Sequence, residues 1–409
     1  MSTKIFALGT VCLVLGLIAA PNQGCATVEK TSSVNELSGD INNLSFDLYK
    51  ELTGNAGGNA FFSPLSISTA FALAQQGAAG ATAREMAEAL RLRPDSSEIR
   101  EAYAGLMESL NQRQSEGPFK LHIANALWVQ QGYGIKDSFT KTAQGYFQAQ
   151  AEEVDFQEKA KAAVERINEW VASKTADKIE KLIPEGAVDK LTRLILTNAV
   201  YFKGTWQSQF KEKATKAQDF HALDGTTFKV PTMRQTGAFK YAETEDLQAL
   251  ELPYKKCGLA MLVILPKKKA GLSHLETKLD HAALESLMGD LKHKRVRLAL
   301  PRFKMETKYT LNKPMQSLGM KLAFAPGAAD FSGITENEKL YIKTAIHKAY
   351  IDVDEEGTEA AAATGIVMRT TSAHIDPPTP FIADHPFMFM IRDTRTGVIL
   401  FMGRILDPR

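Results

Sequence analysis

The sequence predicts an α+β fold, because helical and strand patterns interleave along the chain and several of the strand patterns are near-continuous apolar runs. The chain has 409 residues, 44% hydrophobic and 23% charged, a globular composition with ample material for a large core. Helical patterns cover residues 41–52, 66–75, 82–90, 98–111, 161–175 and 314–318. Strand patterns cover residues 121–129, 194–201, 259–265, 296–301, 348–353, 387–391 and 398–404. Unbroken apolar strands fit sheets covered on both faces. Length alone suggests two or three domains.

Charge and motif content argue against several function classes. The net charge of +2 gives no reason to invoke nucleic acid or anionic lipid. The basic runs at residues 267–269 and 292–295 read as solvated turns rather than a polyanion site. Residues 98–111 carry only Arg100 as a basic residue. The sequence has no Gly-x-Ser-x-Gly elbow, Walker loop, His-Glu-x-x-His or Cys-x-x-Cys. Its eight histidines are scattered without metal-ligand spacing. No catalytic residue, metal or cofactor is therefore assigned.

The N-terminus reads as a targeting segment. Lys4 precedes an apolar run from Ile5 to Ala20, short for a membrane span and fitting a secretory signal. A cut after Ala20 would leave Pro21 first. Gly24-Cys25 instead resembles a bacterial lipoprotein cleavage site, although Asn22 and Gln23 depart from the usual apolar-small pattern. On that reading residues 1–24 are the signal, and lipidated Cys25 is a membrane tether. A free secreted form cut after Ala26 is the alternative. Residues 25–34 are then a flexible tether, and 35–409 a single domain outside the cytoplasm. Cys12 leaves with the signal, so only Cys257 remains in the body, as an ordinary strand-end thiol.

The most informative segment follows the strand pattern at 348–353. It reads Glu355-Glu356-Gly357-Thr358-Glu359-Ala360-Ala361-Ala362-Ala363-Thr364-Gly365. Four alanines suggest helix, and a surface linker is the other plain reading. Strand parity suggests something else. Thr358, Ala360, Ala362, Thr364, Ile366 and Met368 share one face and are uncharged. Glu359 and Arg369 both fall on the other face. Such a segment can enter a sheet with one face buried, and a one-residue slip would bury both charges.

Other motifs recur in order along the chain. They include Asn59-Ala-Phe-Phe-Ser63-Pro-Leu-Ser66, Gly77-Ala-Ala-Gly80-Ala-Thr82, Ala124-Asn-Ala-Leu-Trp128 and Leu196-Thr-Asn198-Ala-Val-Tyr-Phe-Lys-Gly204-Thr-Trp206. The tail adds His385-Pro-Phe387 and Phe401-Met-Gly403-Arg404. From about Asn35 to the C-terminus this ordered set resembles the serpin family of protease inhibitors. The resemblance implies one unusually large domain of three β-sheets, the central one large, surrounded by helices and carrying an exposed reactive-centre loop. It makes residues 355–363 the hinge of that loop. It places Ser63, Ser66, Asn198 and His347 in a polar "shutter" beneath the central sheet. Trp206, Arg302 and Glu355 fall at the "breach", where insertion begins, with Arg302 as an ion-pair partner for Glu355. A solvated pair of little energetic weight is the plainer reading of those two charges.

The resemblance also implies a function. A target protease would cut the loop and become acylated, and the freed hinge would insert as a new strand before the acyl-enzyme hydrolyses. The protein would thus be an inhibitor rather than an enzyme, and a monomer. The family's spacing from Glu355 puts the reactive bond at Thr371–Ser372, with Thr370–Thr371 and Arg369–Thr370 as alternatives. The partners implied are serine proteases of elastase, subtilisin or trypsin type, with cysteine proteases as a further class. A non-inhibitory binding or chaperone serpin is the competing reading; such members often carry proline or charge in the hinge, where this chain has Thr358 and Ala360 to Ala363. A hydrolase using His347 with Ser63 or Ser66 lacks any exposed nucleophile motif.

Overall fold

The computed structural model describes residues 23–54, 57–92, 96–184, 186–336, 339–358 and 377–409. Its central sheet has six strands in the order Phe303–Thr310, Thr344–Val353, Gly357–Thr358, Leu194–Thr205, Phe119–Gln130 and Gln150–Val154. Both faces are covered, which explains the unbroken apolar runs. Along Leu194–Thr205, Ile195, Ala199 and Tyr201 join Val164, Ile167 and Trp170 of the helix Ala160–Lys174 in one apolar cluster. Leu196, Val200 and Phe202 join the main core on the opposite face. Trp128 meets Trp170 edge to face at 5.4 Å, and its indole N–H donates to Thr197 Oγ1 at 2.8 Å.

The remaining strands form a nine-stranded network. Three sheets are implied by the family resemblance, whereas hydrogen bonding joins the described strands into two networks. The cause is the 17-residue strand Thr227–Glu243. Its residues 240–243 pair with residues 248–251, and its residues 232–241 pair with residues 292–301. One long strand therefore serves two sheets. Sequence patterning misses it because most of its outward residues are polar and Pro231 interrupts it.

The helix Pro64–Gln76 is buried from Pro64 to Gln75. It starts two residues before the pattern suggests. Ser63 caps it by accepting from the Ser66 N–H, and Pro64 suits the first turn. The first helix spans Gln23–Thr53, so the backbone over residues 25–34 is helical where the sequence suggests a loose tether. The helix Ser96–Glu116 also outruns its pattern and thereby gains a second basic residue, Arg113. That arginine is buried. Its Nη1 and Nη2 donate to Asp393 Oδ1 and Oδ2 at 2.9 and 2.6 Å, and Nη1 also reaches the Cys257 carbonyl at 3.3 Å. Cys257 is itself buried, which pushes its thiol up to about 11 and keeps it unreactive.

A buried bidentate pair becomes costly when one partner is lost, because the other charge is stranded. Arg113→Ala or Asp393→Ala should each cost about 3–5 kcal/mol, read as a lower urea midpoint. The apolar double variant Arg113→Met/Asp393→Leu should fall closer to the parent.

Candidate functional site at the head of the central sheet

The strands Thr344–Val353 and Leu194–Thr205 run parallel, pairing residue 344 with 195 through residue 350 with 201. Above that ladder the chain turns back and places Gly357–Thr358 between them. Thr358 pairs with Val353 and with Gly204, and Gly357 pairs with Thr205, antiparallel on both sides. The turn is built on Asp354. Its side-chain Oδ1 accepts from the Glu356 and Gly357 N–H groups at 2.9 and 3.1 Å, and its own N–H donates to the Gly357 carbonyl at 3.0 Å. Aspartate is suited to this role because its short carboxylate reaches the backbone two residues on. Neighbours hold the turn from the side. The Trp206 N–H donates to Glu356 O at 2.9 Å and the Phe210 N–H to Glu355 O at 2.8 Å. The Trp206 indole donates to Asp354 O at 2.9 Å.

Close approach determines the residue types. A Cβ on Gly357 would lie 1.9 Å from the Gly204 carbonyl oxygen, so only glycine fits there. Thr358 is fully buried, with its hydroxyl 2.8 Å from the Tyr254 hydroxyl. Tyr254 in turn stacks on Trp206 at 4.6 Å.

Three successive acids sit in this turn under different electrostatic conditions. Glu355 is 2% exposed. Arg302 Nη2 and Nε reach its two oxygens at 2.7 and 2.8 Å, and the Thr215 hydroxyl donates to it as well. Burial pushes its carboxyl up, but the Arg302 and Thr215 bonds outweigh that and hold it below the usual range. Burial raises Asp354 and Glu356, and neighbouring carboxylates add to both shifts. Glu356 Oε2 is buried without a hydrogen-bond partner. The turn thus holds one anion well and two poorly.

A second cluster lies in one row across the sheet. Tyr309 stands opposite His347, His347 opposite Asn198, and Asn198 opposite Asn125. The His347 ring is parallel to the Tyr309 ring at 6.3 Å. Its Nε2 accepts from the Ser63 N–H at 3.2 Å and its Nδ1 is bonded to Asn198 Oδ1. That arrangement requires a neutral ring protonated on Nδ1. Asn198 Nδ2 also donates to the Ser66 carbonyl at 2.9 Å and to Asn125 Oδ1. The Ser63 hydroxyl is directed elsewhere, donating to Leu400 O at 2.6 Å. No Ser63 hydroxyl–His347 bond exists here, and all these groups are buried. Asn125 Nδ2 is the one side-chain atom of this row left buried without a partner, and the geometry is that of a buried polar core, not of a nucleophile with its base.

The folded chain brings Ser63, Ser66, Asn198 and His347 together, and it brings Trp206, Arg302 and Glu355 together at the head of the sheet. Glu356, Gly357 and Thr358 occupy the wedge. Glu359, Ala360 to Ala363, and Arg369, Thr370, Thr371 and Ser372 lie outside the described residues, as does the Cys25 side chain. Four further residues belong to the site: Asn125, Thr215, Tyr254 and Lys348. Lys348 is buried on the hinge strand and reaches Glu306 at 2.6 Å and the Lys181 carbonyl at 3.0 Å. It ties that strand to the segment that follows the covering helix. Only Asn125 carried a signal in the sequence, within the motif Ala124-Asn-Ala. The others are ordinary residues until the fold places them.

The chain resembles known proteins. The family model "Serpin (serine protease inhibitor)" matches residues 40–408. The chain is a serpin. A serpin-like protein of Thermococcus kodakarensis is 44% identical over 371 residues, covering 90% of this chain and 85% of that one. The leukocyte elastase inhibitor of Bos taurus is 38% identical over 386 residues, covering 91% of this chain and all of that one. The crystal structure of Serpin48 from the insect Tenebrio molitor matches with a TM-score of 0.83 at 35% identity, over 91% of this serpin and 98% of Serpin48.

His347 supplies a pH test of the cluster. Burial lowers its pKa to about 3, while an unfolded histidine titrates near ~6.5. Its contribution to stability is complete above that value. Below it the unfolded chain takes up a proton that the native ring refuses, so stability falls until the native ring titrates near 3. The slope is at most about 1.4 kcal/mol per pH unit. Urea midpoints between pH 7 and 5 should fall more steeply for the parent than for His347→Asn, which removes the ring.

Proposed function

We propose that this serpin is a suicide-substrate inhibitor of serine endopeptidases, with cysteine endopeptidases as a further target class. The observation that carries the reading is the seating of Gly357 and Thr358 between the strands Thr344–Val353 and Leu194–Thr205. These are the first two residues of a strand whose continuation would separate the same pair. The protease nucleophile attacks the carbonyl of a bond among Arg369–Thr370, Thr370–Thr371 and Thr371–Ser372. The peptide C–N bond breaks, the amine leaves with a proton, and an acyl-enzyme ester or thioester remains. The freed chain then follows Thr358 downward, with Ala360, Ala362, Thr364, Ile366 and Met368 on the buried face. One parallel ladder is replaced by two antiparallel ones, so a full row of backbone bonds is gained. The native fold is in this view a kinetic trap released by cutting.

The row of polar groups fits this role. His347 and Asn198 stand opposite each other on the two strands that must part, and their bond breaks as the new strand passes. The Arg302–Glu355 pair restrains the turn from which the strand would grow. Small residues at 360–363 favour insertion, since bulk or charge would slow a step that must outrun hydrolysis. A bovine relative of similar length is named as an inhibitor of leukocyte elastase, which supports a protease as partner. We further propose that residues 1–24 direct export and that Cys25 is acylated, placing a monomeric inhibitor at the cell envelope. Mass spectrometry of the mature N-terminus should show a lipid-modified Cys25 as the first residue; an unmodified N-terminus beginning later would mean free secretion.

Ala360→Arg tests the mechanism, because Thr358 is already seated in the sheet before cleavage and Ala360 is in this mechanism the next buried-face residue to enter. Burying a guanidinium in a covered sheet costs several kcal/mol, and about 1.4 kcal/mol in a barrier is tenfold in rate. With trypsin, pancreatic elastase and subtilisin, the parent should give complexes stable on denaturing gels. The variant should be cleaved in the loop with complex yield reduced more than about tenfold. Undiminished yield from the variant would refute the insertion mechanism.

A further inference from the structure

The strands Thr227–Glu243 and Lys292–Pro301 are paired so that Arg234 faces Ala299, Thr236 faces Arg297, Ala238 faces Arg295 and Lys240 faces His293. Directly opposed residues share one face of a sheet. Arg234, Lys240, His293, Arg295 and Arg297 therefore point to the same side, and all five are exposed. Lys240 is engaged by Glu251 at 2.9 Å and Arg234 donates to Gln218 at 2.7 Å. His293, Arg295 and Arg297 have no ion pair among the described residues. On the opposite face, Lys294 is used differently, pairing with Glu243 at 3.7 Å and covering the Tyr241 ring at 5.0 Å. Arg295 and Arg297 stand opposite the uncharged Ala238 and Thr236, so no cross-strand ion pair accounts for their charge.

The position of this face is informative. The strand Thr379–Ile382, the first described after the loop, lies along it, with Pro380 opposite Arg297 and Ile382 opposite Ala299. A cleft of about 580 Å³ opens there among Arg234, Thr236, Arg297 and Ile382. Seven residue steps separate Ser372 from Thr379, and a chain of that length can reach at most about 25 Å. A protease domain of about 230 residues is roughly 45 Å across, so an enzyme engaged at residues 369–372 is kept within reach of this face by the chain itself.

We infer that this basic face is an accessory docking surface for the target protease, and that the favoured target carries an acidic surface beside its active site. The inference rests on the inhibitory reading above. Opposite charge steers the encounter, so the effect falls on association rate and not on insertion. A sulfated polysaccharide is the other polyanion that such a face would hold, and heparin enters the test for that reason.

The experiment compares the parent with Arg295→Glu/Arg297→Glu, both exposed positions. Two proteases of one bond specificity and opposite surface charge are used, such as anionic and cationic trypsin, or the corresponding pair for whichever specificity gives complexes. For the anionic enzyme the variant should associate about tenfold more slowly at low ionic strength. The deficit should shrink as salt rises, with complex yield per cleavage unchanged. For the cationic enzyme the variant should be equal or faster. Equal rates for parent and variant with the anionic enzyme, at undiminished yield, would overturn the docking surface while leaving the inhibitory mechanism intact. A difference that arises only when heparin is added would assign the face to a polysaccharide and overturn it too. Cleavage without complexes for the parent would remove the inhibitory reading itself and this inference with it.

Discussion

A sheet whose two middle strands separate at one end must satisfy the backbone groups exposed there, and the rest of the site is arranged around that demand. Buried N–H and C=O groups without partners are costly. Two residues, Gly357 and Thr358, fill the gap. The gap is narrow enough that Gly357 cannot carry a side chain. The turn that delivers them is anchored by Asp354, Trp206 and Phe210. The head of the sheet is therefore closed by a short plug, while the ladder below is closed by the two strands themselves.

The two closures differ in kind. At the plug, burial of Thr358 against Tyr254 is combined with charge, and the acids of the turn do not all benefit. Glu355 is well held by Arg302, whereas Asp354 and Glu356 are ionised at some cost. Arg302 is half-exposed, so solvent screens the pair and its strength is modest. Lower down, the row Tyr309–His347–Asn198–Asn125 crosses four strands. Hydrogen bonds of this type are directional and leave costly orphans when only half broken. A row of that kind keeps the strands in register.

Elsewhere charge is used for permanence. The Arg113–Asp393 pair is buried on both sides and joins the helix Ser96–Glu116 to the strand Phe387–Asp393. The strand Thr227–Glu243 plays a comparable part for the backbone, since it belongs to two sheets at once. The parting strands thus sit on a scaffold held by long-range contacts.

Local chemistry was readable from the chain alone. Strands apolar on both faces announced a covered sheet, and the cores of most long elements fell where the patterns place them, because burial acts on side chains within a few residues of one another. The uncharged parity set that begins at Thr358, and the glycine before it, were visible for the same reason. Boundaries were less so: Ser63 and Pro64 start their helix early through a cap that periodicity does not register. What only the tertiary structure decided is alignment at long range. Arg113 and Asp393 are 280 residues apart, and Asn125, Asn198, His347 and Tyr309 come from four different strands. Whether such residues meet depends on sheet order and register. Those are fixed by the packing of the whole core, and no spacing within the chain encodes them.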